Sequence, residues 1–201
     1  PLGIDTRRFH PETGHEKKDS ITILHVAGLV PVKNQHFLLQ ALARLTDRPW
    51  RLEIVGDGPL KEELQTLSRT LGIGNRIDWQ GWVHHDEIAA CYQRGDLFVL
   101  TSEHEAQGVV LLEAMACGLP VVATEVGLAP ELVDAGACVP RSDEQALADA
   151  IASFLDDSEK RRDTGQHNRQ IAEQYDQEVT VNRLAEVYES IIGNNTDSVD
   201  H

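Results

Sequence analysis

The chain has 201 residues, with 18 Lys+Arg against 33 Asp+Glu and a net charge of −15, which argues against a general binder of nucleic acid or anionic membrane because both surfaces repel a net anion. Its 41% hydrophobic and 25% charged residues are those of a folded globular chain rather than a disordered one. No apolar run approaches the ~20 residues of a bilayer-spanning helix, no secretory signal opens the chain, and Cys91, Cys117 and Cys138 have no CxxC spacing, which points to a reducing, cytoplasmic setting.

The charge is uneven. Residues 1–50 carry seven Lys/Arg against five Asp/Glu, residues 51–140 five against fourteen, and residues 141–201 six against fourteen. The start of the chain is therefore the only relatively cationic part. It opens at Pro1 without an initiating Met and runs through loop-like sequence, so residues 1–20 read as a linker left from a longer protein.

Ile21–Ala27 is an apolar, β-branched run ending at Gly28, the pattern of a buried parallel strand. Residues 34–45 carry apolar side chains at Phe37, Leu38, Ala41, Leu42 and Leu45, a helical stripe. Arg51–Val55 reads as a second strand closed by Gly56-Asp57-Gly58. Pro59 then stands as the first residue of a helix, where a missing N–H is no loss, with Leu60, Leu64, Leu67 and Leu71 on its buried face. The alternation continues through a strand at 76–79, a short helix at 86–92, strand Leu97–Leu100, helix Val109–Ala116, a strand at 120–123, one turn at 130–133 and a last strand at 137–139. From Asp143 the pattern is purely helical, with helices predicted at 144–155, 160–175 and 178–192 and a polar tail from Asn194. Such alternation with short Gly/Pro turns specifies an α/β domain over 21–193, a Rossmann-like parallel sheet with helices on both faces and a C-terminal helical extension.

Ligands of these sheets sit outside the carboxyl ends of the strands. The candidate ligand loops are therefore 28–33, 56–59, 81–83, 101–108 and 124–130. The most informative stretch is Thr101-Ser-Glu-His-Glu-Ala-Gln-Gly-Val-Val-Leu-Leu-Glu113. A strand ends, a polar loop follows, and a helix starts near Gly108, where a ligand can approach the backbone closely. The free N–H groups of Gln107 to Val110 and the helix dipole favour an anion there. Glu105 lies just before that anion site and Glu113 inside the helix, and two carboxylates bracketing one helix N-terminus suit the vicinal hydroxyls of a ribose or hexose.

Taken singly, the same residues have plainer readings. Glu105 and Glu113 could be a solvated loop acid and a helix-surface acid, and Lys33 a surface lysine. Gly56-Asp57-Gly58 resembles part of a dinucleotide fingerprint, but Lys61 occupies the third glycine and Asp78, about twenty residues on, falls inside a strand. His84, His85 and Cys91 fit no closed zinc site. His25, Cys117 and Cys138 read as packed core residues, and His104 as an exposed loop residue beside Glu105. Ser102 and Thr124 either bound a sugar pocket or cap adjacent elements.

The motif series as a whole resembles the donor-binding, C-terminal half of a GT-B glycosyltransferase of family 4, a group that transfers sugars from nucleotide-sugars with retention. Glu105 and Glu113 match the E-x7-E motif, and Glu113-Ala-Met-Ala-Cys-Gly-Leu-Pro-Val-Val-Ala-Thr matches the helix and strand around it. Gly3-Ile-Asp-Thr-x-x-Phe-x-Pro11, Gly28-Leu-Val-Pro-Val-Lys33, Gly56-Asp-Gly-Pro59 and Gly81-Trp-Val83 extend the likeness in order along the chain, as far as Gly127-Leu-Ala-Pro-Glu131. The resemblance implies that Glu105 contacts donor-sugar hydroxyls and Glu113 the ribose. Ala106, Gln107, Gly108, Val109 and Val110 would bind sugar and diphosphate through their backbone, and Lys33 would stabilise the diphosphate leaving group. Gly28 lies at the phosphates, and Trp82 and Val83 are placed near the base. The donor is expected to be a UDP- or GDP-sugar, with no cofactor and no metal required. The acceptor domain would be an absent N-terminal half, without which this chain turns over little, and through which a peripheral membrane contact is left open.

Two departures stand out. The family has Gly-Arg-Leu where this chain has Ala27-Gly28-Leu29, so the arginine that joins Lys33 on the phosphates is missing. The aromatic residue between Glu105 and Gly108 is replaced by Ala106-Gln107. The first departure supports an alternative: a non-catalytic GT-B-like module that binds sugar or nucleotide or serves assembly.

Overall fold

The computed structural model describes residues 3–12 and 20–196, with side chains through 186. Among these described residues the expected sheet is present: six strands, all parallel, in the order β3-β2-β1-β4-β5-β6. The strands are β1 (Ile21–Val26), β2 (Trp50–Val55), β3 (Ile77–Gly81), β4 (Leu97–Leu100), β5 (Val121–Thr124) and β6 (Cys138–Val139). Helices α1 (Gln35–Ala43), α2 (Lys61–Thr70), α3 (Ile88–Arg94), α4 (Val109–Ala116) and α5 (Ala129–Leu132) connect them, and α6 (Glu144–Asp156), α7 (Ser158–Glu173) and α8 (Gln177–Thr196) follow.

Successive strand residues enter opposite layers. Leu97 and Val99 pack with α1, α2 and α6 on one face, while Phe98 and Leu100 pack with α3, α4 and α5 on the other. Burial on both faces explains why the central strands read as continuous apolar runs rather than as alternating ones. Helix α4 shows the same effect, since every residue from Leu111 to Ala116 is buried. The strand order changes direction between β1 and β4, so the loops after these two strands diverge to opposite sides of the sheet and leave a crevice between them.

Some boundaries differ from expectation. Pro59 lies outside its helix, which starts at Lys61. The Gly56–Gly58 turn is pressed against the 27–29 backbone, where a Cβ on Gly58 would sit 2.5 Å from the Leu29 carbonyl oxygen, and Leu60 donates its N–H to that same oxygen at 3.1 Å. Contact with the neighbouring loop, not the proline, sets where the helix begins. Its fully buried positions are Leu64 and Ser68, with Leu60, Leu67 and Leu71 half-buried, because α2 covers the edge of the sheet. The helix expected at 86–92 is a 3-10 turn, His85–Glu87, followed by α3.

The start of the chain is tied to its end. Ile4 bridges Asp176 and donates to the Tyr175 carbonyl at 2.8 Å, and Thr6 Oγ1 donates to Asp176 at 2.5 Å. Phe9 enters the core against Tyr92. Arg169 of α7 donates to the carbonyls of Phe9 and Ala116, both at 2.7 Å. Residues 1–2 and 13–19 of the expected linker, and 197–201 of the expected tail, lie outside the described residues. Among the described residues, no helix is long and apolar enough to cross a membrane.

Candidate functional site

The loops after β1 and β4 meet at the crevice. Glu103 donates its N–H to the Val32 carbonyl at 2.8 Å, and Thr101 Oγ1 donates to the Lys33 carbonyl at 3.0 Å. These bonds fix a 3-10 turn, Pro31–Lys33, that ends at Asn34 in the left-handed region. Lys33 is thereby aimed across the crevice, and its Nζ donates to Glu105 Oε1 at 2.6 Å.

Glu105 is held from three sides. Ser102 Oγ donates to the same oxygen at 2.6 Å, and Thr124 Oγ1 donates to the Ser102 carbonyl at 2.7 Å. Gly127 lies against the Glu105 backbone: it has φ +54°, and a Cβ there would come within 3.0 Å of Glu105 Cβ. A side chain at 127 would therefore be strained and would push on the acid. Ser102 and Thr124, both wholly buried, are thus supports of Glu105 and of the β4–β5 loops. Sequence left both of their readings open.

Ala106 and Gln107 are exposed, and Gly108 caps α4 with φ +61°. Leu111 N–H is closed onto the Gly108 carbonyl at 2.8 Å. The N–H groups of the preceding loop and first turn form the positive end of α4, beside Lys33 and Glu105. Val109 is exposed and Val110 half-buried.

Glu113 lies elsewhere, on the inward face of α4. It is only 7% exposed, and its Oε2 accepts from the Tyr92 hydroxyl at 2.7 Å. Burial raises its pKa, opposed by that hydrogen bond and by the charges of His85 and Arg8. Tyr92 escaped the sequence reading because helical periodicity marks it only as core. The available signal was its hydroxyl, which needs an acceptor when buried.

Gly28 is exposed at the crevice, and a Cβ there would meet only the Asp57 carbonyl oxygen at 3.8 Å, an ordinary contact. Its backbone thus accepts a side chain. Trp82 is 71% exposed just past β3, with His84 edge-on to it at 5.7 Å, while Val83 packs into the core beside α3. His104 is exposed, and Asp78 is exposed inside β3 rather than at its end. Among the described residues, no three His, Cys, Asp or Glu side chains converge as a metal site requires.

His25 is the packed core histidine that the sequence indicated, and it also underlies the site. Its Nδ1–H donates to the Val99 carbonyl at 2.9 Å. Its Nε2 lies 3.3 Å from Gln35 Nε2, which donates to the Gly28 carbonyl at 3.0 Å.

The strand order and the crevice between β1 and β4 define the class: a Rossmann-like domain of the kind from which GT-B glycosyltransferases are built. The chain belongs to the family of glycosyl transferases group 1, whose model matches residues 6–171. Among curated relatives it is 32% identical over 193 residues to the N-acetyl-alpha-D-glucosaminyl L-malate synthase of Bacillus anthracis, covering 94% of this chain and 50% of that one. Among solved structures it superposes on sucrose-phosphate synthase of Thermosynechococcus elongatus with a TM-score of 0.86 and 26% identity, over 96% of this chain and 52% of that one. HepE of Anabaena, solved with UDP and glucose, gives a TM-score of 0.79 and 29% identity, over 94% and 55%. The chain spans about half the length of these relatives.

Proposed function

We propose that this chain is the donor-binding half of a retaining glycosyltransferase of family 4, which takes a hexose-type nucleotide-sugar. The observation that carries the reading is the Lys33–Glu105 pair, seated by Thr101, Ser102 and Thr124 at the switch point of the sheet and next to the N-terminus of α4. In this reading the diphosphate lies between the α4 N–H groups and Lys33, the sugar hydroxyls face Glu105, and the ribose reaches Glu113. An ammonium has three donors, so Lys33 can keep Glu105 while it contacts a phosphate oxygen.

As the glycosidic carbon–oxygen bond to the diphosphate breaks, negative charge grows on the departing oxygen, where a fixed cation and helix dipole stabilise it. The acceptor oxygen enters from the same face and passes its proton to that leaving group. No side-chain nucleophile is used. HepE, 29% identical to this chain and solved with UDP and glucose, supports a nucleotide-sugar as the ligand. Calorimetric titration with UDP, GDP and ADP is expected to show saturable binding of at least one. Silence for all three at millimolar concentration overturns the reading.

Gly28 decides between a working donor site and a module that has lost transfer. Because the position holds room for a side chain without backbone strain, Gly28→Arg is expected to tighten UDP binding about tenfold, the scale of one charge-assisted phosphate contact. Unchanged affinity would mean that another group already neutralises that phosphate.

A further inference from the structure

The Tyr92–Glu113 pair has features that packing alone does not require. Tyr92 is wholly buried, its ring edge-on to Phe9 at 5.9 Å and tilted against Phe98 at 5.8 Å. A phenylalanine would fill that space without bringing a polar group into it. Glu113 likewise occupies the buried face of a helix whose other inward residues are apolar, and a buried carboxylate costs stability unless it is paired. The partner it has is a neutral phenol. Among the described residues no cation forms an ion pair with Glu113, and its Oε1 accepts no hydrogen bond. One oxygen is thus fixed while the other keeps its accepting capacity, at a carboxylate that is small in exposure but not sealed.

We propose that Tyr92 is the positioning residue for Glu113, holding its carboxylate in one orientation and in its ionised form so that Oε1 accepts from the ribose hydroxyls of the nucleotide. This rests on the donor-site reading above. Among the described residues, four groups face Glu113. Tyr92 comes from α3, His85 from the turn before it, Arg8 from the N-terminal segment, and Cys117 from the position just after α4. Of these, only Tyr92 makes a hydrogen bond to it. Burial drives Glu113 toward its neutral form, and the Tyr92 hydroxyl opposes that drift, as a donor to the charged form must.

The test uses this chain, UDP and 2′,3′-dideoxyuridine 5′-diphosphate, with affinities measured from pH 5.5 to 8. Tyr92→Phe is expected to weaken UDP binding about fivefold at pH 8, the scale of one hydrogen bond. At pH 5.5 the loss is expected to be larger than at pH 8, because an unassisted Glu113 protonates more readily. The dideoxy nucleotide should bind both proteins equally. Comparing the two proteins at each pH cancels the contributions of His85, Arg8 and Cys117. A loss that is the same at every pH, or the same for both nucleotides, reduces Tyr92 to packing and overturns the proposal. If the phenylalanine variant does not fold, 3-fluorotyrosine at position 92, a stronger donor of the same shape, must tighten UDP binding at pH 5.5, and no change overturns it. Glu113→Gln separates the levels. If that variant binds UDP as wild type does, the ribose reading itself fails; if it weakens binding while Tyr92→Phe does not, only the positioning role fails.

Discussion

Lys33→Ala is expected to weaken UDP binding by about 10- to 100-fold and to leave uridine binding unchanged. The magnitude follows from losing a charge-assisted contact, worth about 1.5–3 kcal/mol. The selectivity follows from where the lysine stands. It is 23% exposed, at the end of a turn fixed by Thr101 and Glu103, and its Nζ lies in the crevice on Glu105 rather than in solvent. The missing arginine at Gly28 makes the effect larger, since no second cation of that loop shares the charge. Removing Lys33 also leaves Glu105, 12% exposed, without its counter-ion at the place where a diphosphate is expected, which adds repulsion to the lost attraction. Glu105→Gln gives the complementary result. It frees Lys33 and keeps Ser102 bonded, so UDP affinity should hold while the gain from an attached hexose is lost. Equal losses for UDP and uridine in Lys33→Ala would show that the lysine acts on the fold rather than on phosphate. The chain's −15 charge opposes any approaching anion at long range, so both titrations should be run at fixed ionic strength.

The parts of this site that were legible in the sequence are those at strand ends. A buried parallel strand must stop at a loop, and the residues just after it are the ones that can reach a ligand. Lys33, Glu105 and Gly108 could therefore be picked out as loop residues from hydrophobic pattern and turn chemistry alone. What could not be read was which loops touch. Nothing local in Gly28–Lys33 says that it meets Thr101–Gly108; that contact comes from the strand order, which places β1 beside β4 across more than seventy residues of sequence. The same blindness hid Tyr92, since the periodicity that defines α3 marks a position as inward without saying what its hydroxyl will meet. Pro59 failed for a related reason. Its local preference for a helix start was overruled by the packing of Gly56–Gly58 on the 27–29 backbone. Trp82 shows a different limit: its place after a short strand carried no signal of its exposure, and it stands largely in solvent beside His84.

The second large effect is on stability and comes from beneath the site. Burial lowers the His25 pKa from 6.5 to about 4, only partly offset by its bond to Val99, with Lys33 lowering it further. Above pH 6.5 the imidazole is neutral both in the folded chain and in the unfolded one, and contributes no pH dependence. As pH falls below 6.5 the unfolded chain takes up a proton that the folded chain refuses until about pH 4, so stability is lost across that window. A shift of this size corresponds to about 3 kcal/mol, a large fraction of the stability of an ordinary domain. His25→Gln is expected to flatten the wild-type decline between pH 6.5 and 4 by that amount, measured by urea unfolding at stepped pH. The carboxylates that titrate at the acid end are common to both proteins and drop out of the difference. The consequence is local as well as global. His25 bonds β1 to β4, and through Gln35 it holds the Gly28 carbonyl. A proton on Nε2 would turn an acceptor into a second donor facing the Gln35 amide, and would place a positive charge under the loop that carries Lys33. The loop should therefore loosen before the whole domain unfolds, with amide exchange in residues 28–34 rising at a higher pH than exchange in the β5 strand. Parallel curves with identical slopes for His25→Gln and wild type would show that the buried imidazole does not set the acid limit of this fold.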